Sequence, residues 1–285
     1  MCSPQATQGW HLPNVGPMEL NFETLDIQRH RGRVDVRLSR PDVRNAFDAQ
    51  MIQDLTGAFE SLATDASVRA VVLSGEGKVF SAGADVEWMR ASIELTEEQN
   101  RADAAEMARM FRSISDAPFP VIVRAHGAAM GGGAGLVCAG DMTVATEDCI
   151  FSFSEVRLGI IPAVISPHAL QKIGAGEARR WFLTGERFNA ETAQRIGMVH
   201  QVATSTEVDS VINGWVEALH EGGPEAIRAA KKLIREVLSA EPDEVTNLTS
   251  TRIAERRATE EAQGGLRAFL ERSTPPWKDA EATDG

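Results

Sequence analysis

The sequence has few cysteines and no long apolar runs. Its three cysteines are odd in number and none is spaced as CxxC, so neither a disulfide framework nor a metal site is predicted, and a reducing compartment is indicated. No apolar run could span a bilayer, and residues 1–18 lack the basic start and apolar core of a signal peptide. We predict no membrane partner, a disordered tail over residues 1–18 and a cytoplasmic location.

Positive charge is also scarce, and tyrosine is absent. The chain of 285 residues has 41 acidic and 29 basic side chains, a formal net charge of −12, and no long basic run. Nucleic acid is a poor partner for such a surface, because it requires clustered basic side chains. With 43% apolar and 25% charged residues, the composition is that of a globular protein with one large or two modest domains.

Apolar periodicity predicts strands and helices over the first two thirds of the chain and helices alone after Ala203. Five runs predict strands, at residues 33–39, 68–73, 119–123, 142–145 and 150–153. Asp48 is predicted to cap an amphipathic helix, and further helices are predicted at residues 96–115 (on the surface), 207–219, 224–238 and 244–272. A bend or break is predicted at Gly264 and Gly265, since each glycine weakens a helix by about 1 kcal/mol. The whole pattern indicates an α/β layered fold.

Two glycine-bounded turns follow apolar runs, at Phe80-Ser-Ala-Gly-Ala-Asp85 and within residues 123–136. Such turns can direct two peptide N–H groups at one oxygen atom, as an oxyanion hole requires. The second turn carries Gly131-Gly132-Gly133 ahead of an apolar helical segment, whose N-terminus adds partial positive charge. The run does not match GxGxxG, because Leu136 takes the last position, so a nucleotide loop is not predicted.

These turns belong to a set of motifs that resembles the crotonase (enoyl-CoA hydratase/isomerase) family. The set is Arg40-Pro41 with Asn45-Ala46, residues 80–85, His126-Gly-x-x-x-Gly-Gly-Gly133 and Ser154-Glu-Val-Arg-Leu-Gly159, and the resemblance spans residues 22–277. It implies a spiral of ββα units over residues 19–203 and a helical oligomerisation region over residues 204–285, in a homotrimer or homohexamer. It also implies an acyl-CoA thioester substrate, with coenzyme A entering as part of the substrate and no other cofactor.

The resemblance also assigns roles to individual residues. Ala84 and Gly132 would donate the two oxyanion N–H groups, and Glu155 would be the acid/base group. The apolar neighbours of Glu155 predict a raised pKa. The residues that would contact the coenzyme or the acyl chain are Arg44, Ala46, Ala82, Asp85, Trp88, Met130 and Gly131; Arg44 would lie near the phosphates or be an ordinary surface arginine.

Gly135 departs from the pattern of the hydratases that use two glutamates, because it stands where the second glutamate is found. Double-bond isomerases of the family need one glutamate. The hydratase-lyases of hydroxycinnamoyl-CoA use tyrosines, which this chain lacks. Hydratases of branched, carboxylated enoyl-CoAs closely resemble residues 154–167 of this chain. They also have a glycine at the position of Gly135. A hydratase is therefore the leading prediction, with an isomerase or an acyl-CoA-binding scaffold as alternatives. Arg157 would pair with a carboxylated acyl group or form a structural ion pair.

Overall fold

The computed structural model describes residues 21–278, in which the strands form two sheets. The strands are β1 (Leu25–Arg29), β2 (Arg33–Leu38), β3 (Ala70–Gly75), β4 (Val121–Ala125), β5 (Ala128–Met130), β6 (Met142–Thr146), β7 (Ile150–Ser152), β8 (Phe188–Asn189) and β9 (Gln201–Ala203). The larger sheet has the order β1-β2-β3-β4-β6-β9, and the smaller has the order β5-β7-β8. Apart from the β1/β2 and β7/β8 pairs, all neighbouring strands are parallel.

Helices cover the sheets and form the C-terminal part of the chain. They are α1 (Ala49–Ala63), α2 (Val86–Ser92), α3 (Glu97–Ser115), α4 (Gly132–Ala139), α5 (Ser166–Thr184), α6 (Ala190–Arg195), α7 (Val208–Glu221), α8 (Pro224–Ser239), α9 (Val245–Arg257) and α10 (Glu260–Glu271). Short 3-10 helices lie at Pro41–Val43 and Glu155–Leu158. Among residues 21–278, no helix has the length and apolar character needed to cross a membrane. The predicted α/β fold of ββα units is confirmed, and the predicted tail over residues 1–18 lies outside the described residues.

Alternation along the central strands separates two cores. On β3, Val71 and Leu73 pack into the main core between the large sheet and the helices that include α1, α3 and α4, whereas Val72 packs on the opposite face. That second face is covered by α7, through Val208, Ile212 and Val216 among others. Successive side chains of a strand point to opposite faces, so a strand buried on both sides lacks the alternating pattern in its sequence.

The parallel order of β3 and β4 brings the two glycine turns together. These strands are direct neighbours, with Val71 opposite Val121, so their carboxyl ends lie at the same edge of the sheet. Ser81, just beyond β3, then pairs in parallel with Ala129 of β5. The sheet topology therefore places turns that are about fifty residues apart in sequence side by side.

Two predictions for the C-terminal helices are wrong. The single helix predicted over residues 244–272 is two helices, because Thr259 starts α10 by accepting a hydrogen bond from the N–H of Ala262 at 3.3 Å. Helix α10 continues through Gly264 and Gly265. A Cβ atom on these glycines would lie 2.9 Å from Pro276 and 2.7 Å from Trp277 respectively. The glycines therefore make room for two rings of the following segment.

A buried lysine joins α8 to the sheet and gives a stability prediction. Lys231 Nζ donates to the carbonyl oxygen of Phe119 at 2.9 Å and to Oδ2 of Asp141 at 2.6 Å. Burial lowers the pKa of Lys231. We expect Lys231→Met to lower the free energy of unfolding by about 1.5–3 kcal/mol, the range for a hydrogen bond to a charged group, measured by urea denaturation.

The matched control is Lys232→Met, one position along the same helix. The Lys232 side chain is 64% exposed and pairs with Glu236 one turn away, and such pairs contribute about 0.3–0.5 kcal/mol. Equal denaturation midpoints for the two variants would contradict the structural role of Lys231.

Candidate active site

The first glycine turn is held by the segment before α1. The N–H of Phe47 donates to the carbonyl of Gly83 at 2.7 Å, and the N–H of Asp85 donates to the carbonyl of Phe47 at 2.8 Å. Gly83 has φ +91°, and a Cβ atom there would lie 2.8 Å from the carbonyl oxygen of Met130. Only glycine permits both this conformation and this approach. The peptide N–H of Ala84 lies between these two anchored residues.

The second turn begins α4 directly beside the first. The amide nitrogen of Gly132 lies 3.7 Å from the Cβ position of Gly83, and a Cβ atom on Gly132 itself would lie 2.5 Å from the ring of Phe47. Gly132 is the first residue of α4, and the first N–H groups of a helix have no partner within the helix. The N-terminus of the helix adds partial positive charge at this N–H group. The two turns thus lie side by side, and binding of one oxygen atom by the N–H groups of Ala84 and Gly132 stays a prediction.

Glu155 lies across from the glycines, on the second 3-10 helix. Its Oε1 atom is 3.3 Å from the Cβ position of Gly131. Its Oε2 atom is buried and has no hydrogen-bond partner within residues 21–278. Burial raises the pKa of Glu155, and a backbone hydrogen bond opposes this shift in part. A half-buried carboxyl group with a raised pKa and an unpaired oxygen is suited to accept and return a proton.

One cavity of about 400 Å³ joins Glu155 to both turns. Most of its wall is apolar. The large apolar side chains of the wall are Phe47, Trp88, Met89, Met107, Leu158, Ile160, Ile161, Pro162, Val164 and Ile165. The polar lining residues are Ser92, Asn100, Asp103, Ser154 and Glu155. None of the described residues that line this cavity is a lysine or an arginine. The cavity therefore suits an apolar group carried next to a polar reacting centre.

Six of the ten site residues predicted from the sequence line this cavity together: Ala82, Ala84, Trp88, Gly131, Gly132 and Glu155. The other four are Arg44, Ala46, Asp85 and Met130. Arg44 is exposed, and Ala46 is buried with its carbonyl accepting from Arg40. Asp85 caps α2 and pairs with Arg40 at 3.2 Å, and the N–H of Met130 donates to the carbonyl of Ser81 at 3.0 Å. Contact of these four with a coenzyme stays a prediction.

Gly135 leaves no space for a second carboxylate. A Cβ atom there would lie 2.4 Å from Cγ2 of Ile165 and 3.0 Å from the ring of Phe111. The position of the absent glutamate is therefore filled by two apolar side chains from other elements. At this end of the cavity, Glu155 is the one carboxylate among the described lining residues.

One wall of the cavity is formed by α3, of which only the residues up to Arg101 were expected to border the acyl chain. This helix was predicted to lie on the surface, but Asn100, Asp103, Ala104 and Met107 line the cavity. Their spacing of three, four and seven residues places them on one face, so periodicity could have grouped them. It could not have shown that this face meets the cavity. Arg157, considered as a partner for a carboxylated substrate, is exposed and does not line the cavity.

Comparison with known proteins identifies similar chains over almost the whole length. The sequence pattern of the family described as enoyl-CoA hydratase/isomerase matches residues 28–280. The enoyl-CoA hydratase ACTT6 of Alternaria alternata is 30% identical over 242 residues, which cover 85% of this chain and 79% of that protein. A crystal structure of an enoyl-CoA hydratase from Shewanella pealeana has a TM-score of 0.87 and 36% identity, covering 91% of this chain and 97% of that one. An enoyl-CoA hydratase/isomerase from Marinobacter aquaeolei has a TM-score of 0.84 and 32% identity, covering 90% and 99%.

Proposed function

Because the chain belongs to the enoyl-CoA hydratase/isomerase (crotonase) family, we propose that it is an enoyl-CoA hydratase that adds water across the 2,3 double bond of an acyl-CoA thioester. Coenzyme A enters as part of the substrate, and the reaction uses no other cofactor. The observation that carries the proposal is one cavity lined by Glu155 and by the residues of both N–H groups, Ala84 and Gly132.

In this mechanism the thioester oxygen lies between the N–H groups of Ala84 and Gly132. When the water oxygen bonds to C3, the electrons of the C2–C3 double bond move towards the thioester oxygen and form an enolate. The two N–H groups and the positive end of α4 stabilise the developing charge. Removing one such donor costs about 2.7–4 kcal/mol of transition-state stabilisation in enzymes of this type.

Glu155 carries the proton. As a carboxylate it accepts one proton from the attacking water and then returns a proton to C2, so that the enolate collapses to the hydrated thioester. Burial raises its pKa, which makes the carboxylate a stronger base and the carboxylic acid a usable donor near neutral pH. The raised pKa also predicts that hydration is lost as the pH falls through it.

Ser154 is the group that we propose holds the water in place of a second glutamate. Its Oγ atom is 3.9 Å from the Cβ position of Gly131, beside the Glu155 carboxylate at 3.3 Å, and Ser154 lines the cavity. We expect Ser154→Ala to lower kcat for hydration roughly two- to tenfold with KM nearly unchanged, the effect of one hydrogen bond of about 0.5–1.5 kcal/mol. Ser154→Thr, which keeps the hydroxyl, should restore most of the activity.

A suitable control for this variant is Ser250→Ala, at an exposed position of α9 whose hydroxyl bonds to its own helix. A Ser154→Ala enzyme with the kcat of this control would show that the hydroxyl does not position the water.

A second candidate function is isomerisation of 3-enoyl-CoA to 2-enoyl-CoA. The filled space at Gly135 favours it, because an isomerase needs one base, which removes a proton from C2 and returns it to C4. The same oxyanion turns would stabilise the dienolate. The similarity of residues 154–167 to hydratases of branched enoyl-CoAs supports the hydratase and a branched acyl chain.

The deciding experiment follows the ultraviolet absorbance of the conjugated enoyl thioester. Purified protein is mixed with straight, 3-methyl-branched and carboxylated 2-enoyl-CoAs, and separately with 3-enoyl-CoAs. Loss of absorbance from a 2-enoyl-CoA supports the hydratase. A rise from 3-enoyl-CoA without loss from any 2-enoyl-CoA makes the protein an isomerase, and binding of acyl-CoA with neither change makes it a scaffold.

We also propose a homotrimer or a pair of trimers, in the cytoplasm. Leu266, Phe269 and Leu270 of α10 are 50%, 81% and 79% exposed in the single chain, and burying these side chains between subunits would be favourable. Size-exclusion chromatography with light scattering would give the mass of the protein in solution. A monomeric mass would overturn this part of the proposal.

A further inference from the structure

Asp103 places a second carboxylate in the cavity, on a different element from Glu155. It belongs to α3, and Ala104 and Met107 line the cavity from the same face of this helix. Within residues 21–278, the Asp103 carboxylate makes no hydrogen bond or ion pair. A charged group that lines an apolar cavity without a partner affects whatever enters the cavity.

The other polar group on this face of α3 already has partners. Asn100 Nδ2 lies 3.4 Å from the carbonyl oxygen of Ser92 and 3.2 Å from those of Leu95 and Thr96. Its amide group therefore fastens the connection between α2 and α3. Asp103 is left as the charged group of this wall, and no lysine or arginine among the described lining residues compensates it.

Asp103 and Glu155 lie on different parts of the cavity wall, on α3 and on the second 3-10 helix respectively. The raised pKa of Glu155 follows from burial, with no contribution from a neighbouring charge. Two carboxylates that shared one site would shift each other's pKa strongly. Asp103 lies one helical turn from Asn100, whose amide contacts the end of α2, whereas the Glu155 carboxylate lies beside Gly131.

We propose that Asp103 determines which acyl chains the cavity accepts: it favours a chain that carries a hydroxyl group and disfavours a chain that carries a carboxylate. The hydroxyl would donate a hydrogen bond to the free carboxylate. A second carboxylate would meet like charge in a partly desolvated site, which is a means of rejecting a competing ligand. This inference rests on the proposed acyl-CoA function and narrows it. It excludes acyl chains that carry a carboxylate and keeps the branched, uncharged ones.

The test measures binding of saturated acyl-CoAs, which cannot react, by calorimetry. The series has acyl chains of five to ten carbons ending in a methyl, a hydroxyl or a carboxylate. At one chain length or more, we expect the wild-type protein to bind the hydroxyl form at least threefold more tightly than the methyl form and the carboxylate form at least tenfold more weakly. Asp103→Asn should bring the carboxylate form within about twofold of the methyl form.

Two further variants make the result specific. Asp103→Leu should abolish the preference for the hydroxyl form as well. Glu106→Gln removes an exposed carboxylate from the same helix outside the cavity lining and should leave all affinity ratios unchanged. Identical ratios in the wild type and in Asp103→Asn at every length would overturn the inference while leaving the hydratase proposal intact. Absence of binding by any acyl-CoA would overturn both.

Discussion

Glu155→Gln is expected to lower turnover roughly 10²–10⁴-fold, the usual contribution of a positioned acid/base group. The amide cannot accept a proton from water, yet it keeps the shape of the side chain in the half-buried site. Affinity for a saturated acyl-CoA should stay close to the wild-type value. The measurement is the absorbance assay with the best substrate of the panel, together with calorimetric binding.

The same variant is expected to change stability with a definite dependence on pH. Burial raises the pKa of Glu155 in the folded state, so the folded protein binds this proton more tightly than the unfolded chain. The group therefore contributes stability at low pH that is lost as the pH rises through the raised pKa. Glutamine has no charge to bury, so the variant should melt at a higher temperature than the wild type at pH 8. The difference should disappear below about pH 4, where the glutamate is protonated in both states.

The control for both measurements is Glu217→Gln, at an exposed position of α7. It should keep wild-type turnover and show no gain in melting temperature at pH 8. Near-normal turnover of Glu155→Gln would remove Glu155 from the mechanism. A melting temperature below that of the wild type at pH 8 would contradict the buried, unpaired carboxylate.

Gly132→Ala is expected to lower kcat/KM roughly 10²–10³-fold, as the loss of an oxyanion donor does. The added methyl group would lie 2.5 Å from the ring of Phe47, which is fully buried. Phe47 cannot move without disturbing the first turn, because its N–H bonds to Gly83 and its carbonyl accepts from Asp85. One methyl group therefore displaces the second N–H and strains the anchor of the first.

A second variant distinguishes this effect from simple unfolding. Combining Gly132→Ala with Phe47→Leu removes ring atoms from the point of collision and should recover part of the lost activity. Gly214→Ala is the matched control, because a Cβ atom there meets nothing within 4 Å on α7. It should keep full activity and gain up to about 1 kcal/mol in stability. Wild-type activity of Gly132→Ala would contradict the predicted displacement of the N–H of residue 132 by the collision with Phe47.

Local features of the site could be predicted because each depends on residues close together in the chain. The two glycine turns follow strands directly, and the capping of α1 by Asp48 is confirmed by a hydrogen bond of 2.8 Å from the N–H of Met51. Glu155 was recognisable as a carboxylate among apolar residues. The sequence also shows directly that position 135 carries no carboxylate.

Longer-range predictions failed where a neighbouring segment changed the outcome. Gly264 and Gly265 weaken a helix in isolation, yet α10 continues through them, and Pro276 and Trp277 pack into the space that side chains would take. Helix propensity describes a residue without its tertiary neighbours. The packed rings belong to a segment about ten residues further along.

The sequence by itself determined the family, the α/β class and the lone glutamate, since motifs and apolar periods are properties of neighbouring residues. Only the tertiary structure showed that Ile165 and Phe111 fill the space beside Gly135, and that Asp103 lines the same cavity as Glu155. Periodicity indicates which side chains share a face of a helix. The surface that this face contacts depends on elements that are distant in sequence, because their side chains must pack closely together.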